Sequence, residues 1–126
     1  FKVFVQGEPV SFKVVKIDIK NNLALIKIDK NDLSTIGFAE SDKIKLGQAV
    51  FLVAPTSTQQ DNWLVNSGII RQIELGVIKT NILETQAIAG SPLFSSTGEL
   101  IGINFVDQEG KISAVSIDKI QALLGL

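Results

Sequence analysis

The hydrophobic positions of this chain recur in short runs, and turn-forming residues separate these runs. Residues 1–6 are rich in strand-forming side chains, the segment Gly7–Pro9 predicts a turn that ends this strand, and Val10–Asp18 predicts a second strand. The pair Asn21–Asn22 predicts another tight turn before Leu23–Ile28, whose nearly continuous apolar run is typical of a strand buried on both sides. This part of the chain therefore predicts three strands.

A polar connector, residues 31–47, precedes a second series of strand-like segments. Six further strands are predicted, near residues 48–54, 63–72, 76–82, 91–95, 99–106 and 112–116. Turn residues stand between them, at Pro55, Asp61–Asn62, Gly76, Gly90–Pro92, Thr97–Gly98 and Glu109–Gly110. Only Ile117–Leu124 has helical spacing, with Ser116 or Asp118 as its N-cap. This pattern predicts an all-β antiparallel barrel or sandwich that ends in one short helix.

Composition narrows the range of functions. At 126 residues the chain is long enough for one domain with its own core. Its formal net charge is −1 and no basic cluster stands out, so nothing indicates nucleic-acid binding. No apolar run approaches the length of a membrane helix. The chain has no cysteine and no histidine, which removes disulfides, thiolate catalysis and the imidazole ligands of most metal sites. We therefore expect no metal, no cofactor and no nucleic-acid partner.

One loop and the hairpin after it carry the most specific pattern in the chain. The loop is Glu84–Phe94, and the hairpin follows at Gly98–Asn104. Together they resemble the nucleophile loop of trypsin-like serine proteases, which reads G-x-S-G-[GS]-P and is followed by a strand, a glycine-containing turn and a strand ending in G-I-N. On that pattern Ala89 stands at the nucleophile position and Ala87 at the first glycine.

Other segments extend the resemblance in order along the whole chain. Asp18–Ile28 is similar to the D-x-x-x-D-L-A-L-L-K-I segment of HtrA/Deg-type proteases, with Asn22 at the position of the catalytic aspartate. Phe38–Pro55 resembles the family's inter-barrel linker and the first strand of its second barrel. Val65–Ile70 resembles the V-T-S-G-I-V strand, and Ala114–Ile117 the last strand before a terminal helix.

The resemblance implies a trypsin-like antiparallel double β-barrel whose first barrel is truncated. Residues 1–30 would be the remnant of the first barrel, 31–47 the connector, 48–116 a complete second barrel and 117–126 the C-terminal helix. The family's T-x-x-H-V segment, which carries the catalytic histidine, would precede Phe1. Three strands would leave open edges that another chain, a swapped element or further residues could cover.

Serine proteolysis needs a hydroxyl nucleophile, an imidazole base, a carboxylate that orients the imidazole, and backbone N–H groups that stabilise the oxyanion. The resemblance implies that none is intact, because Ala89 occupies the nucleophile position, Asn22 the acid position, and Ala87, Ile88 and Gly90 the oxyanion loop. A side chain at position 87 would also strain the backbone that the family needs there. Proteolysis by this mechanism is excluded for this polypeptide alone. The alternative is a fragment of an active HtrA-like endopeptidase, with the nucleophile replaced and the histidine on upstream sequence.

Recognition of a protein or an extended peptide is then the function that the resemblance leaves. Trypsin-like folds bind peptides by strand augmentation beside the nucleophile loop, and the corresponding positions are Phe105, Val106 and Asp107. The apolar pair Phe105–Val106 is equally consistent with closing the barrel. Self-association through the open first-barrel edge, and an extracytoplasmic or membrane-anchored bacterial location, are further expectations. A third interpretation is an unrelated all-β adaptor that shares turns by chance.

Overall fold

The structure is a computed structural model that describes residues 1–56 and 62–126. The predicted turn residue Asp61 therefore lies outside the described residues. Strands dominate the described chain, and the elements in order are β1 (Val3–Val5), β2 (Glu8–Val10), β3 (Phe12–Asp18), β4 (Leu23–Ile28), β5 (Ala49–Pro55), β6 (Trp63–Glu74), β7 (Val77–Leu83), β8 (Pro92–Ser95), β9 (Leu100–Val106), β10 (Lys111–Ser116) and α1 (Ile117–Leu124). Two short 3-10 segments, Ser41–Lys43 and Gln86–Ile88, complete the fold.

Strands β5 to β10 form a closed antiparallel barrel with the order β10-β7-β6-β5-β8-β9. Along β7, buried and exposed side chains alternate, because successive residues of a strand point to opposite faces. The largest fully buried side chains of the barrel are aliphatic: Leu52, Ile70, Ile78, Leu93, Ile101 and Ile112. The predicted all-β fold with a complete second barrel is confirmed.

The N-terminal part contains four strands in two separate pairs, β1–β2 and β3–β4, where three strands were predicted. The turn lies at Gln6–Gly7, where both residues have positive φ (52° and 81°), as in a type I′ two-residue hairpin turn. Pro9 therefore pairs with Phe4 inside β2 and does not end a strand. An edge strand accommodates this proline because its missing N–H is not needed on the open side.

Strand β4 is half-buried, contrary to the expectation of burial on both sides. Four of its six side chains are partly buried, two are exposed, and none is fully buried. The reason is its pairing, since β3 is the only strand that pairs with β4 among the described residues. The apolar run Leu23–Ile28 is thus covered on fewer sides than its composition indicated.

Backbone hydrogen bonds fix the connector to the barrel. The N–H of Ala39 donates to the carbonyl of Leu100 (3.0 Å), and the N–H of Leu100 donates to the carbonyl of Gly37 (2.8 Å).

The predicted helix is present as α1, with Ser116 at its N-cap position and Gly125, with φ 79°, at its end. Within the residues that the structure describes, no helix is long and apolar enough to cross a membrane.

Candidate functional site

A cavity of about 330 Å³ lies between the β3–β4 turn and the barrel. The turn contributes Asn22 and its neighbours, and the barrel side contributes Ala89 from the loop before β8 and Phe105 from β9. Asn22 and Ala89, which the resemblance puts at the acid and nucleophile positions, therefore line the same cavity. Apolar side chains form most of the remaining wall: Leu23, Val77, Ile103 and Val115.

The β3–β4 turn is shaped by the side chain of Asp18. Its carboxylate accepts hydrogen bonds from the backbone N–H of Asn21 (3.1 Å) and from the Asn21 side-chain amide (2.7 Å). These two bonds, the side-chain bond first, hold the pKa of Asp18 below its usual value. Asn22 follows in the left-handed conformation, with φ 55°, which asparagine tolerates better than most residues. The turn thereby places Asn22 at the cavity.

Replacing Asn21 with alanine should raise the pKa of Asp18 back toward its ordinary value, because the strongest hydrogen bond to the carboxylate is lost. The folded-state pKa of Asp18 is lowered, so the stabilisation from these bonds is present above the unfolded pKa and is lost as the pH falls through the folded pKa. An NMR titration of the Asp18 carboxyl carbon measures the change. The exposed connector variant Asn31→Ala is the control, and an unchanged Asp18 pKa in Asn21→Ala would contradict this account of the turn.

The loop that contains Ala89 turns through the 3-10 segment Gln86–Ile88 and then through Gly90, whose φ is 89°. Gly90 donates its N–H to the carbonyl of Asn104 (2.8 Å), which ties the loop to β9. Ala89 is exposed on the cavity side, with φ −57° and ψ 136°. Its methyl group is the only side-chain atom offered at this position, so no nucleophile is present.

The backbone amide of Ala89 is already hydrogen-bonded within the loop. It donates to the carbonyl of Gln86 at 3.1 Å, which closes the 3-10 turn. An oxyanion site instead needs N–H groups that point at the ligand. Strain at Ala87 was expected, but Ala87 lies inside the 3-10 segment and does not have a positive φ. In this loop conformation Ala87 is unstrained, and the Ala89 amide donates its hydrogen bond within the loop.

Asn104 lies behind the loop and is 2% exposed. Its side-chain amide N–H donates to the hydroxyl of Ser91 (3.1 Å), and its backbone N–H donates to the Ser91 carbonyl (2.8 Å). Among the described residues, its Oδ1 is the buried side-chain atom that has no hydrogen-bond partner. Sequence reasoning missed Asn104 as a site residue. The available signal was an amide side chain within the otherwise apolar strand β9.

The three residues predicted to bind peptide have different positions. Phe105 is 39% exposed and lines the cavity. The side chain of Val106 packs against the barrel core, and its carbonyl accepts a hydrogen bond from the Gln86 side chain (2.9 Å). The Asp107 carboxylate accepts two backbone N–H bonds of the β9–β10 hairpin, each 2.9 Å long. Phe105 is thus the one predicted residue of the three that lines the cavity.

Within the described part of the chain, no group of three or more acidic, cysteine or histidine side chains is arranged to hold a metal ion. The polar groups at the cavity are mainly amides, from Asn21, Asn22 and Asn104, together with Lys20 at its edge. Amides hydrogen-bond neutral polar groups and do not supply general-base catalysis at neutral pH. The polar part of the cavity lining therefore consists of neutral amides and one lysine.

The structure combines a closed six-stranded antiparallel barrel with a preceding hairpin, and the cavity lies between the two. The chain belongs to the trypsin-like peptidase domain family, whose family model matches residues 1–103. This match includes the β3–β4 turn, the loop with Ala89 and most of β9, so it covers both sides of the cavity.

The similar curated proteins are bacterial serine proteases of the HtrA type. A "Probable periplasmic serine endoprotease DegP-like" of Halomonas elongata is 30% identical over 106 residues, covering 78% of this chain and 22% of that protein. "Serine protease Do-like HtrB" of Bacillus subtilis is 31% identical over 112 residues, or 78% of this chain and 24% of that protein. A DegP-like protein of Marinomonas sp. is 32% identical over 73% of this chain and 21% of its own length. The chain thus spans less than a quarter of these relatives.

Proposed function

We propose that this polypeptide is a catalytically inactive trypsin-like domain that binds extended protein segments and does not cleave them. The observation that carries the proposal is the cavity that Asn22 and Ala89 line together. The resemblance puts these two residues at the family's acid and nucleophile positions. Neither side chain can perform the chemistry of the residue it replaces, since a methyl group cannot attack and an amide carries no charge to stabilise an imidazolium ion.

Two further observations support the absence of catalysis in this chain. No histidine is present in the sequence, so no imidazole is available from these 126 residues. The amide of Ala89 donates to Gln86 within the loop, which removes one donor from an oxyanion site. Loss of the nucleophile and base together removes roughly six orders of magnitude in turnover in serine proteases.

The walls of the cavity support recognition of an apolar side chain. Leu23 covers the cavity from the β3–β4 hairpin, and Val77, Ile103 and Phe105 cover it from the barrel. Binding pockets commonly combine such apolar walls with a few fixed polar groups that orient the ligand. The nearby amides of Asn21 and Asn22 can hydrogen-bond the main chain of a bound segment, so binding requires neither serine nor histidine.

Catalysis is tested with the intact natural protein that contains this chain, in parallel with its Ala89→Ser variant. Substrate profiling with a diverse peptide library should detect no cleavage in either form, because the serine alone restores neither the charged acid nor the oxyanion donor. Cleavage by the natural protein would overturn the proposal. Cleavage that is recovered only in Ala89→Ser would favour the alternative, a fragment of an active serine endopeptidase.

Binding is tested by filling the cavity. Ala89→Leu should weaken the binding of fluorescein-labelled unfolded casein about tenfold or more, because the larger side chain occupies space that an apolar residue of the ligand needs. Ala87→Leu is the matched control, since Ala87 is exposed in the same loop and does not line the cavity. Fluorescence anisotropy measures both affinities. Equal affinities of the two variants would contradict binding in this cavity.

We also propose that the protein is located outside the cytoplasm. Support comes from the printed names of the Halomonas and Marinomonas relatives, which describe periplasmic proteins. Fractionation of a bacterium that naturally produces the protein, with antibodies against this domain, checks the location. Recovery of the domain solely in the cytoplasmic fraction would contradict it.

A further inference from the structure

Another cavity, of about 380 Å³, lies on the barrel where β6, β7 and β10 run side by side. Its lining comes from these three strands and from Asp107 in the β9–β10 hairpin. It shares no lining residue with the cavity at Ala89. This cavity is called the barrel-wall cavity below.

Two irregularities of strand pairing border the barrel-wall cavity. The register of β6 against β7 shifts between Ile70 and Gln72, and the register of β10 against β7 shifts between Lys111 and Ser113. Register shifts of this kind bend a strand and redirect its side chains, and they are over-represented next to active sites. Arg71 stands within the first shift, and its side chain lines the cavity.

Ser113 contributes a hydroxyl group to the cavity. Its neighbours along β10, Ile112 and Ala114, are fully buried in the core, so the alternation of the strand directs Ser113 outward. Ser113 is nevertheless only 9% exposed, and its hydroxyl makes no hydrogen bond to another described residue. By contrast, the Thr80 hydroxyl donates to the carbonyl of Ile112 (2.8 Å). Buried hydroxyl groups usually have a partner, so the Ser113 hydroxyl is available to a ligand in the cavity.

The charged side chains of the lining are mainly cationic. Arg71, Lys79 and Lys111 are positive and Asp107 is negative, so the lining carries a net charge of +2. Among the described residues, Arg71 forms no ion pair. A guanidinium group has five N–H donors in a planar fork, and this geometry matches the oxygens of phosphate or carboxylate groups.

The two lysines have carboxylate partners outside the lining. The Lys79 Nζ lies 3.5 Å from a carboxylate oxygen of Glu74, and the Lys111 Nζ lies 3.2 Å from one of Glu109. Both pairs are well exposed to solvent, and such ion pairs hold their side chains only weakly. An ammonium group has three donors, so each lysine can keep its carboxylate while it donates to a second anion.

We propose that the barrel-wall cavity binds the phosphate group of a small phosphate monoester. The Arg71 guanidinium holds two phosphate oxygens, and Lys111 and the Ser113 hydroxyl donate to the others. A phosphate monoester carries a charge of about −1.5 to −2 at neutral pH, which balances the charge of the lining. The cavity volume lies within the range of small-molecule sites, so it also accommodates the group that the phosphate is attached to.

The probe is glycerol 3-phosphate, titrated into the full ¹⁵N-labelled chain at an ionic strength held constant with sodium chloride. Saturable shifts of the backbone amides of Arg71, Lys79 and Ser113 are expected. Arg71→Gln should weaken binding about tenfold, because the bidentate charged hydrogen bonds are lost. Lys45→Gln, which removes an exposed positive charge of the connector away from the cavity, is the matched control and should bind like the parent chain. Thermal unfolding shows that each variant is folded.

A variant with the opposite expected effect tests the charge of the cavity. The Asp107 Oδ1 accepts both N–H bonds of the hairpin, and asparagine retains this acceptor while it removes the negative charge. Asp107→Asn should therefore bind glycerol 3-phosphate about threefold more tightly, since a like charge beside the phosphate is removed. Ser113→Ala should bind it about threefold more weakly, because one hydrogen bond is lost.

The proposal is overturned if sodium chloride alone moves the same amides equally, if Arg71→Gln binds like the parent chain, or if Asp107→Asn binds more weakly. Two further measurements identify the source of the phosphate. Sedimentation with vesicles that contain phosphatidic acid, lost in Arg71→Gln, would support a lipid headgroup as the ligand. Binding of glycerol 3-phosphate without sedimentation would support a soluble phosphate monoester. Because the two cavities have no lining residue in common, failure here would leave the proposal for the Ala89 cavity unaffected.

Discussion

Replacing Gly102 with alanine should lower the free energy of unfolding by about 3 kcal/mol or more, because overpacking against fixed backbone is among the costliest core changes. Gly102 is buried in β9, where the strand approaches β10 closely. A Cβ atom at this position would stand 2.3 Å from the carbonyl oxygen of Val115 and 3.1 Å from the Cβ of Ala114. That oxygen belongs to a paired strand of a closed barrel, so it cannot move without disturbing the ladder.

Urea unfolding, followed by far-UV circular dichroism, measures this change. Gly37→Ala is the matched control, since a Cβ there meets nothing within 4 Å and the backbone has no positive φ. That variant should change the unfolding free energy by less than about 1 kcal/mol, in either direction. A Gly102→Ala protein as stable as the parent would show that β9 and β10 can separate without loss of the barrel.

Replacing Asn104 with aspartate should destabilise the protein by about 3 kcal/mol at neutral pH, because an ionised carboxylate would be buried with few partners. Asn104 is 2% exposed, and its side chain has one hydrogen-bonding neighbour, the Ser91 hydroxyl. Its Oδ1 lacks a partner among the described residues even in the neutral amide. Burial favours the protonated carboxyl, so the pKa of the new aspartate should be raised in the folded state.

The sign of the pH dependence follows from that shift. With a folded-state pKa above the unfolded value, the aspartate is tolerated best below the unfolded pKa of about 3.9. Stability of the variant relative to the parent should fall as the pH rises through the folded pKa. Urea unfolding of both proteins between acid and neutral pH measures the difference. Asn31→Asp, at an exposed connector position, is the control. A pH-independent deficit in Asn104→Asp would contradict burial of this group.

These two positions connect the barrel to the candidate site. Asn104 holds the loop with Ala89 through Gly90 and Ser91, and Gly102 fixes the spacing of the strand that carries Asn104. The loop conformation that uses the Ala89 amide internally is therefore anchored in the barrel core.

Local sequence was a good guide to the barrel. The strands from β5 to β10 were predicted because alternating or continuous apolar runs and turn residues mark them directly. The N-terminal strands were predicted less well, since Gln6 takes a positive φ that glutamine rarely adopts and Pro9 sits within an edge strand. The position of Pro9 depends on which side of the strand remains unpaired, and that is a long-range property.

For the candidate site, the sequence by itself determined which catalytic side-chain groups are missing from this chain. It contains no imidazole, and alanine and asparagine occupy positions 89 and 22, because side-chain identity is fixed by the chain alone. Only the tertiary structure decided that Asn22 and Ala89 share one cavity, that the Gln86 carbonyl accepts a hydrogen bond from the Ala89 amide, and that Lys13 pairs with Lys27 in the β3–β4 ladder. Those features arise from strand register and loop hydrogen bonds between distant residues, which local periodicity does not encode.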